Sequence, residues 1–295
     1  MTTTAVAIPA RTRRSSVRRF LRRFPLSARL GGVVLLVYVL VALTGPLWEP
    51  YSPFQTGSLP FGGASGAHLF GTDILGRDVF SRVVEGTRDV LYLSLTSTFI
   101  ALVVGGVIGL ASGLVGGWLD EVLMRLFETV ISIPILVLAL LAIAAAGPKA
   151  AGSSLLLIGV VVLVYAPRIA RMARTVAVDL VTRDFVVIAR TRGESVWSIV
   201  WRELTPNAAG TLLVEFGVRA GYAPILISSL GFLGFGAQPP SPEWGLMISE
   251  NRDAIVTAPV TVLAPSIALA LLVISLNLFT DGLARYLGRT ATRTP

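Results

Sequence analysis

Cysteine is absent from this chain of 295 residues, and histidine and lysine occur once each, as His68 and Lys149. Without cysteine the sequence has no disulfide and no thiolate metal site, and a single histidine cannot build a histidine-based metal cluster. We therefore interpret His68 as an ordinary loop residue. Lys149 follows a proline rather than the glycine of a phosphate-binding loop, so we do not expect ATP to bind this chain by that route.

The residue patterns of common hydrolases are missing as well. The sequence contains no HExxH zinc-protease motif, and a lone loop histidine cannot serve a nucleophile–histidine pair. The sequence accordingly predicts no catalytic residue, no metal site and no cofactor bound by this chain. If the protein moves a substrate, the energy has to come from elsewhere.

Charge is scarce too, since 14% of residues are charged, 54% are hydrophobic, and the mean hydropathy is +0.76. This composition is typical of a polytopic membrane protein. An uncharged run of roughly 17–25 residues is long enough to cross about 30 Å of hydrocarbon. Six runs qualify, at residues 30–48, 90–119, 129–148, 150–167, 220–242 and 254–280. The sequence therefore predicts an all-α polytopic membrane protein with six transmembrane helices.

The net charge of +8 reflects how arginine is distributed about these spans. Eight arginines precede residue 30, seven lie in residues 168–206, and the loops expected outside carry few. Because arginine-rich loops stay on the cytoplasmic side, we expect a multi-pass protein of the cell (inner, cytoplasmic) membrane with both termini in the cytoplasm. Membrane lipid is then a partner, and nucleic acid is not.

The chain divides into four parts on this basis. Residues 1–29 are a basic cytoplasmic segment rather than a signal peptide, because the apolar run that follows is too long and no small-residue cleavage site ends it. Residues 30–88 contain the first span and an outer loop. Residues 89–282 contain the other five spans, and residues 283–295 form a cytoplasmic tail.

The outer loop tightens into the sequence LFGTDILGRDVFSRVVEGTRDV before the second span. We expect an amphipathic surface helix here, capped by Thr72 or Asp73. Asp78 and Arg82 have the i,i+4 spacing of an ion pair on that helix. The simpler interpretation is that the helix orders the loop, and the alternative is that it docks an external partner.

The second span carries a regular row of glycines. They recur every fourth residue, at 105, 109, 113 and 117. Glycines at this spacing form a groove in which the backbone of another helix can approach closely. That neighbouring helix belongs either to this chain or to a second subunit.

A few polar side chains fall inside the apolar runs or beside them. Glu215 and Arg219 are spaced to form an i,i+4 intramembrane pair that neutralises itself. Ser228 and Asn277 either line a polar pathway or bond to neighbouring backbone. These four residues are the candidates for a pathway or for an intramembrane pair.

The arginine-rich segment at 168–206 has the pattern of a helical hairpin. A helical period runs up to Gly193, and a second short pattern begins at Val196 and stops before Pro206. A glycine after one helix and a proline after the next are common stop signals. A membrane protein that folds such a hairpin on its cytoplasmic side presents it to another molecule.

This hairpin resembles the cytoplasmic EAA loop of the permease subunits of binding-protein-dependent ABC importers. In that loop Glu-Ala-Ala is followed by three residues, a glycine, and an apolar helix that ends at proline. Ala189, Gly193 and Pro206 match, whereas Val187 and Ile188 stand where the family has Glu and Ala. Three further stretches are similar to the second permease subunit of dipeptide and oligopeptide importers: GTDILGRDVFSR (71–82), TPNAAGTLLV (205–214) and SSLGFLGFGAQPPSPEWGLMISENR (228–252).

The resemblance implies the permease fold of a type I ABC importer and a subunit that forms half of a translocation pathway for peptides, without being an enzyme. It implies a homologous second permease, an external substrate-binding protein, and two ATPase subunits that carry ATP and Mg. The loop at 168–206 would hold the coupling helix. Its residues expected to couple to the ATPase are Val187, Ile188, Ala189, Arg190, Gly193, Glu194 and Ser195.

Alternatives to this interpretation concern the cargo and the class of protein. Related subunits take nickel complexes, glutathione, sugars or antimicrobial peptides, so the cargo is open within the family. A channel or secondary carrier that works without ATP is disfavoured by the self-neutralised pair of Glu215 and Arg219 and by the lack of an internal repeat. A scaffold or sensor subunit would not need the hairpin.

Overall fold

The computed structural model describes residues 25–147, 150 and 152–291. Most of the basic segment and the last four residues of the tail lie outside these ranges. Within them the regular secondary structure is helical, apart from one isolated bridge between Thr72 and Asp78. The α-helices of the described residues are α1 (Leu26–Thr44), α2 (Val79–Val115), α3 (Gly117–Ser132), α4 (Ile135–Ala146), α5 (Ser154–Val181), α6 (Asp184–Thr191), α7 (Val196–Ile199), α8 (Thr205–Phe232), α9 (Trp244–Asn251) and α10 (Val260–Ala291).

Several helical stretches are long and apolar enough to cross a membrane. They are Leu26–Leu47, Val79–Val115, Ser154–Val181, Val196–Phe232 and Val260–Tyr286. The bent pair of α3 and α4 makes a sixth span if the two helices are counted together. The prediction of an all-α polytopic membrane protein is confirmed, with five or six spans in the described part of the chain.

The third span is not the straight helix predicted at 129–148. Helices α3 and α4 meet at an angle of 99°, and the bend falls at Ile133 and Pro134. Ile133 is extended, with ψ 131°, because the ring of a following proline disfavours helical backbone in the residue before it. Helix α4 has 12 residues and is therefore about 18 Å long, too short to cross about 30 Å of hydrocarbon alone.

The prediction of a separate surface helix at 70–88 is wrong. The helical residues of this stretch are the first turns of α2, which has 37 residues. Asp78 is the N-cap of α2, and its carboxylate accepts a hydrogen bond from the Ser81 amide at 2.8 Å. Neither Thr72 nor Asp73 caps a helix. The stretch before Asp78 is instead a tight turn that packs against the rest of the outer loop.

Two glycines and the histidine shape this turn. Gly71 and Gly76 have φ of +73° and +70°, and a Cβ on either would collide with a backbone carbonyl, so only glycine fits at both positions. His68 lies in the loop as predicted. Its ring nitrogens are 2.9 Å from the Asp78 carboxylate and 3.2 Å from the Ser58 hydroxyl, which ties the loop to the start of α2.

Arg77 and Arg82 are buried in an ion network, which we call the outer ion network after the predicted side of the loop that precedes α2. The Asp73 carboxylate accepts from Arg77 Nε at 2.6 Å, and Arg77 Nη2 donates to Glu250 at 2.6 Å. The i,i+4 spacing predicts a pair of Arg82 with Asp78, but the structure does not contain it. Arg82 lies 3.3 Å from the same Glu250 oxygen and 3.6 Å from Asp73. Because Glu250 belongs to α9, this network holds the outer loop, α2 and α9 together.

The predicted glycine groove on α2 is confirmed, and it holds α5 of the same chain. A Cβ on Gly105 or Gly109 would collide with backbone carbonyls of α5, and one on Gly113 would lie 2.7 Å from the Cβ of Ala177. Gly117 does not take part, because it begins α3 and has no neighbour within 4 Å of a Cβ. The close approach of the two backbones packs α2 against α5 at the centre of the molecule.

Candidate functional site

The segment after α5 folds into a helical hairpin made of α6, a turn at Gly193, and α7. Gly193 has φ +72°, and its amide donates to the Arg190 carbonyl at 3.0 Å. The Glu194 amide donates to the Ala189 carbonyl at 3.2 Å. These two bonds form a Schellman motif, which favours glycine at the left-handed position. Ser195 then caps α7, and the predicted glycine cap is confirmed.

The second helix of the hairpin does not stop before Pro206, contrary to the prediction. It passes through a π-helical turn, Val200–Leu204, and continues directly into α8. The Thr205 hydroxyl donates to the Val200 carbonyl at 2.7 Å beside this wider turn. Pro206 lies in the first turn of α8, where a missing N–H is tolerated. Val196–Phe232 is therefore one stretch of 37 residues, and the hairpin is continuous with a membrane span.

Two of the residues expected to couple to the ATPase, Ala189 and Arg190, lie on the inside of the hairpin. Ala189 is fully buried, in an apolar cluster that α2, α5 and α8 also enter. Arg190 Nη2 donates to the Leu114 carbonyl at 2.5 Å, which clamps the hairpin to the last turn of α2. These two residues build and anchor the hairpin, and the burial of Ala189 leaves its side chain no surface for a partner.

Glu194 closes the turn between the two short helices. Its carboxylate accepts from the Ser198 hydroxyl at 2.9 Å and from Arg192 Nη2 at 2.6 Å. Both hydrogen bonds lower the pKa of the Glu194 carboxyl, and the bond from Ser198 has the larger effect. Glu194 is thus held ionised and fixed in place, beside the cap formed by Ser195.

Four large apolar side chains point away from this packing, and we call them the hairpin face. Val187 and Ile188 are 47% and 52% exposed, and Trp197 and Trp201 are 57% and 53% exposed. The two tryptophans were not predicted as site residues. Their i,i+4 spacing was the available signal, because it puts both on one side of a helix.

Three adjoining cavities follow one side of α8, with volumes of 340, 340 and 320 Å³. Arg219 lines the first and the second, while Ile225 and Ser229 line the second and the third. The shared residues make them one open groove, which we call the α8 groove. From Arg219 to Phe232 it runs about 20 Å along the helix. Helix α5 and the bend between α3 and α4 form the opposite wall of the first two cavities, and α4, α9 and α10 form that of the third.

Glu215 and Arg219 form the ion pair that their i,i+4 spacing predicts. Arg219 Nη2 lies 2.5 Å from Glu215 Oε1, with the two side chains 23% and 15% exposed. The Arg219 guanidinium also lies 6.0 Å from the centre of the Tyr165 ring, within the range of a cation–π contact. Arg219 therefore forms part of the groove wall, with Glu215 as its only ion-pair partner in the described part of the chain.

Ser228 and Asn277 are bonded within the protein. Ser228 lines the third cavity, but it is buried, and its hydroxyl donates to Glu243 at 2.8 Å. Burial raises the pKa of the Glu243 carboxyl. Asn277 donates to the Val273 carbonyl at 3.0 Å and lines none of the three cavities. Among the described residues, no three histidine or acidic side chains come together to hold a metal ion.

The sequence is similar to those of known transport proteins. A solved structure of the MetNI methionine ABC transporter, in an inward-facing conformation, aligns with 67% of this chain and 94% of that chain, at 20% identity and a TM-score of 0.48. The chain is 35% identical over 269 residues to the glutathione transport system permease protein GsiD of Pectobacterium atrosepticum, covering 90% of this chain and 87% of GsiD.

A second relative is named for a different cargo. The dipeptide transport system permease protein DppC of Alkalihalophilus pseudofirmus is 33% identical over 257 residues, covering 87% of this chain and 83% of DppC. Residues 105–293 match the family described as binding-protein-dependent transport system inner membrane component. With this match and these two relatives, the chain belongs to that family of membrane transport components.

Proposed function

We propose that this chain is a permease subunit of an ATP-driven importer, in which it forms half of the pathway for peptides. A homologous permease completes the pathway. Two ATPase subunits hold ATP and Mg and contact the hairpin, and an external binding protein delivers the cargo. Membership of the family supports partnership with other permease and ATPase subunits, and the wall of the α8 groove is the part of the pathway that this chain supplies.

The observation that carries the proposal is the construction of the hairpin. Its inside is locked by the buried Ala189 and by the Arg190 clamp on α2, whereas Ile188 and the rest of the hairpin face remain exposed. Helix α7 continues into α8, which lines the groove. A displacement of the hairpin by an ATPase would therefore reach the groove as a movement of whole helices.

The orientation we propose follows the distribution of arginine. Seven arginines in residues 168–206 favour a cytoplasmic hairpin, and the loop that precedes α2 then lies outside, next to α9. Both termini are cytoplasmic in this arrangement, and the membrane is the inner, cytoplasmic one. The external binding protein would approach from the side of the outer ion network.

Peptides are the cargo class that fits the relatives and the groove. The relatives at 33–35% identity are named for dipeptides and for glutathione, which is itself a tripeptide. Glutathione is accordingly the second candidate cargo. The α8 groove has arginines at one end and mostly apolar lining farther along, a combination that suits the charged ends and the side chains of a short peptide.

Ile188→Asp tests the coupling role in the complete complex of two permeases and two ATPases. An unpaired carboxylate in an apolar contact is costly, so uptake stimulated by the loaded receptor should fall at least about tenfold while the permease remains in the membrane. Ile188→Leu keeps the contact apolar and is the matched control. Ala189→Asp should behave differently, because it buries a carboxylate within the hairpin and should deplete the folded subunit itself.

A cross-linking measurement completes this test. The chain has no cysteine, so Ile188→Cys introduces a single thiol that can be paired with a cysteine on the ATPase surface. We expect a cross-link between the two subunits. Normal transport by Ile188→Asp, together with no cross-link at Ile188 for any ATPase position, would show that the hairpin does not couple the two.

A further inference from the structure

The inner end of the α8 groove is unusually rich in positive charge. The residues that line this first cavity are Ile131, Arg168, Arg171, Met172, Thr175 and Arg219. Arg219 is paired with Glu215. Within the described residues neither Arg168 nor Arg171 forms an ion pair. Three guanidinium groups thus line one cavity, and a single carboxylate, that of Glu215, pairs with one of them.

The neighbours of Arg168 do not offset this excess. Its Nη1 donates to the carbonyl of Val164 at 2.5 Å, which orients the side chain without neutralising its charge. The groups that act on it electrostatically are Arg219 and the Tyr165 phenol, with no carboxylate among the described residues that do so. Like charges in a partly desolvated cleft attract an anion. The planar guanidinium fork matches a carboxylate through two parallel hydrogen bonds.

The continuity of the groove favours cargo over lipid as the source of that anion. The first cavity continues into the second one through Arg219, which lines both. A molecule that moves along the groove therefore meets the arginines directly.

We infer that the inner end of the α8 groove binds a carboxylate of the peptide as the cargo leaves the pathway. This inference rests on the proposed function, since it takes the groove as the route. Every linear peptide with an unmodified end carries a C-terminal carboxylate, so one site serves peptides of different sequence. The adjoining cavity, lined by Tyr222, Ile225 and Leu226 among others, receives the apolar part of the cargo.

The test compares one peptide in two forms, with a free C-terminal carboxylate and with a C-terminal amide. The complete transporter in liposomes receives each form from the same receptor. Any preference of the receptor for the acid or the amide is then the same for every variant and cancels when their uptake ratios are compared. In Arg168→Gln combined with Arg171→Gln, the acid-to-amide uptake ratio should fall about tenfold from its wild-type value, as for the loss of a charge-assisted pair. Arg125→Gln removes an arginine side chain that is 84% exposed and lies outside the groove, and it should leave the ratio unchanged.

The outcomes separate the carboxylate site from the proposed function. An unchanged ratio in the double variant overturns the site, whereas a wild-type complex without receptor-dependent uptake overturns the proposed function itself. If the double variant does not assemble, Arg171→Gln alone is measured, and an unchanged ratio there also overturns the site. The same measurements in liposomes without anionic lipid identify a headgroup as the anion, and so contradict the inference, if the fall in ratio then disappears.

Discussion

Two groups of arginines lie toward opposite ends of the molecule and differ in what surrounds them. In the outer group, Arg77 and Arg82 are at most 2% exposed and share the carboxylates of Asp73 and Glu250. Two positive and two negative charges are balanced there within the chain. A buried arginine needs such compensation because an unpaired charge in the interior is very costly, so the outer group is explained by the structure alone.

The inner group faces an open groove and is not balanced. Arg168, Arg171 and Arg219 line one cavity, and Glu215 pairs with only the last of them. Nothing in the packing of the described helices requires three arginines at this place. The comparison indicates that the outer group is structural, whereas the inner group is available to something that is not part of the chain.

Arg82→Met is the change with the largest expected effect, and it tests the outer half of the comparison. It leaves Asp73 and Glu250 with one buried guanidinium instead of two, which should lower the free energy of unfolding by about 3–5 kcal/mol. Arg88→Met, at an exposed position of the same helix, is the control and should change it by less than about 0.5 kcal/mol. Thermal unfolding of the purified permease pair in detergent measures both. An Arg82→Met protein as stable as the wild type would remove the distinction between the two groups.

The outer network also shows where sequence reasoning stops. Asp78 and Arg82 have the spacing of a helical ion pair, but Asp78 is the N-cap and turns toward the Ser81 amide. Arg82 contacts Glu250 instead, 168 residues further along the chain. That contact depends on how α2 packs beside α9, and the spacing of residues within one helix does not predict it. The spans themselves could be predicted, because long uncharged runs and the hydrocarbon thickness are both properties of short stretches.

The hairpin likewise has features that the local sequence predicts and features that depend on packing. The Gly193 cap could be predicted because left-handed backbone after a helix favours glycine. Pro206 was misinterpreted as a stop, since proline is equally compatible with the first turn of a new helix, and the π turn keeps the two helices continuous. The contrast between the exposed Ile188 and the buried Ala189 depends on packing against other helices. The motif alone does not contain it.

The pair of Glu215 and Arg219 should give the second largest effect, since it is the one balanced part of the inner group. Both side chains are partly exposed, so their coupling should lie between that of a surface pair and that of a buried pair, at about 1–2 kcal/mol. A double-mutant cycle with Glu215→Gln and Arg219→Gln measures it in the same unfolding assay. A coupling of 3 kcal/mol or more, on the scale of about 3–5 kcal/mol for buried pairs, would make the inner pair as structural as the outer network.

Arg171→Gln should have the smallest effect on stability, and we expect it to stabilise the protein where Arg82→Met destabilises it. The side chain is exposed and has no ion pair within the described part of the chain. Its removal relieves repulsion with Arg168 and Arg219, so the free energy of unfolding should rise by less than about 0.5 kcal/mol. Arg125→Gln, which loses an exposed pair with Glu128 at 3.1 Å, should instead lower it slightly. A loss of more than about 1 kcal/mol in Arg171→Gln would mean that a carboxylate of the second permease neutralises Arg171, and the inner group would then be structural as well.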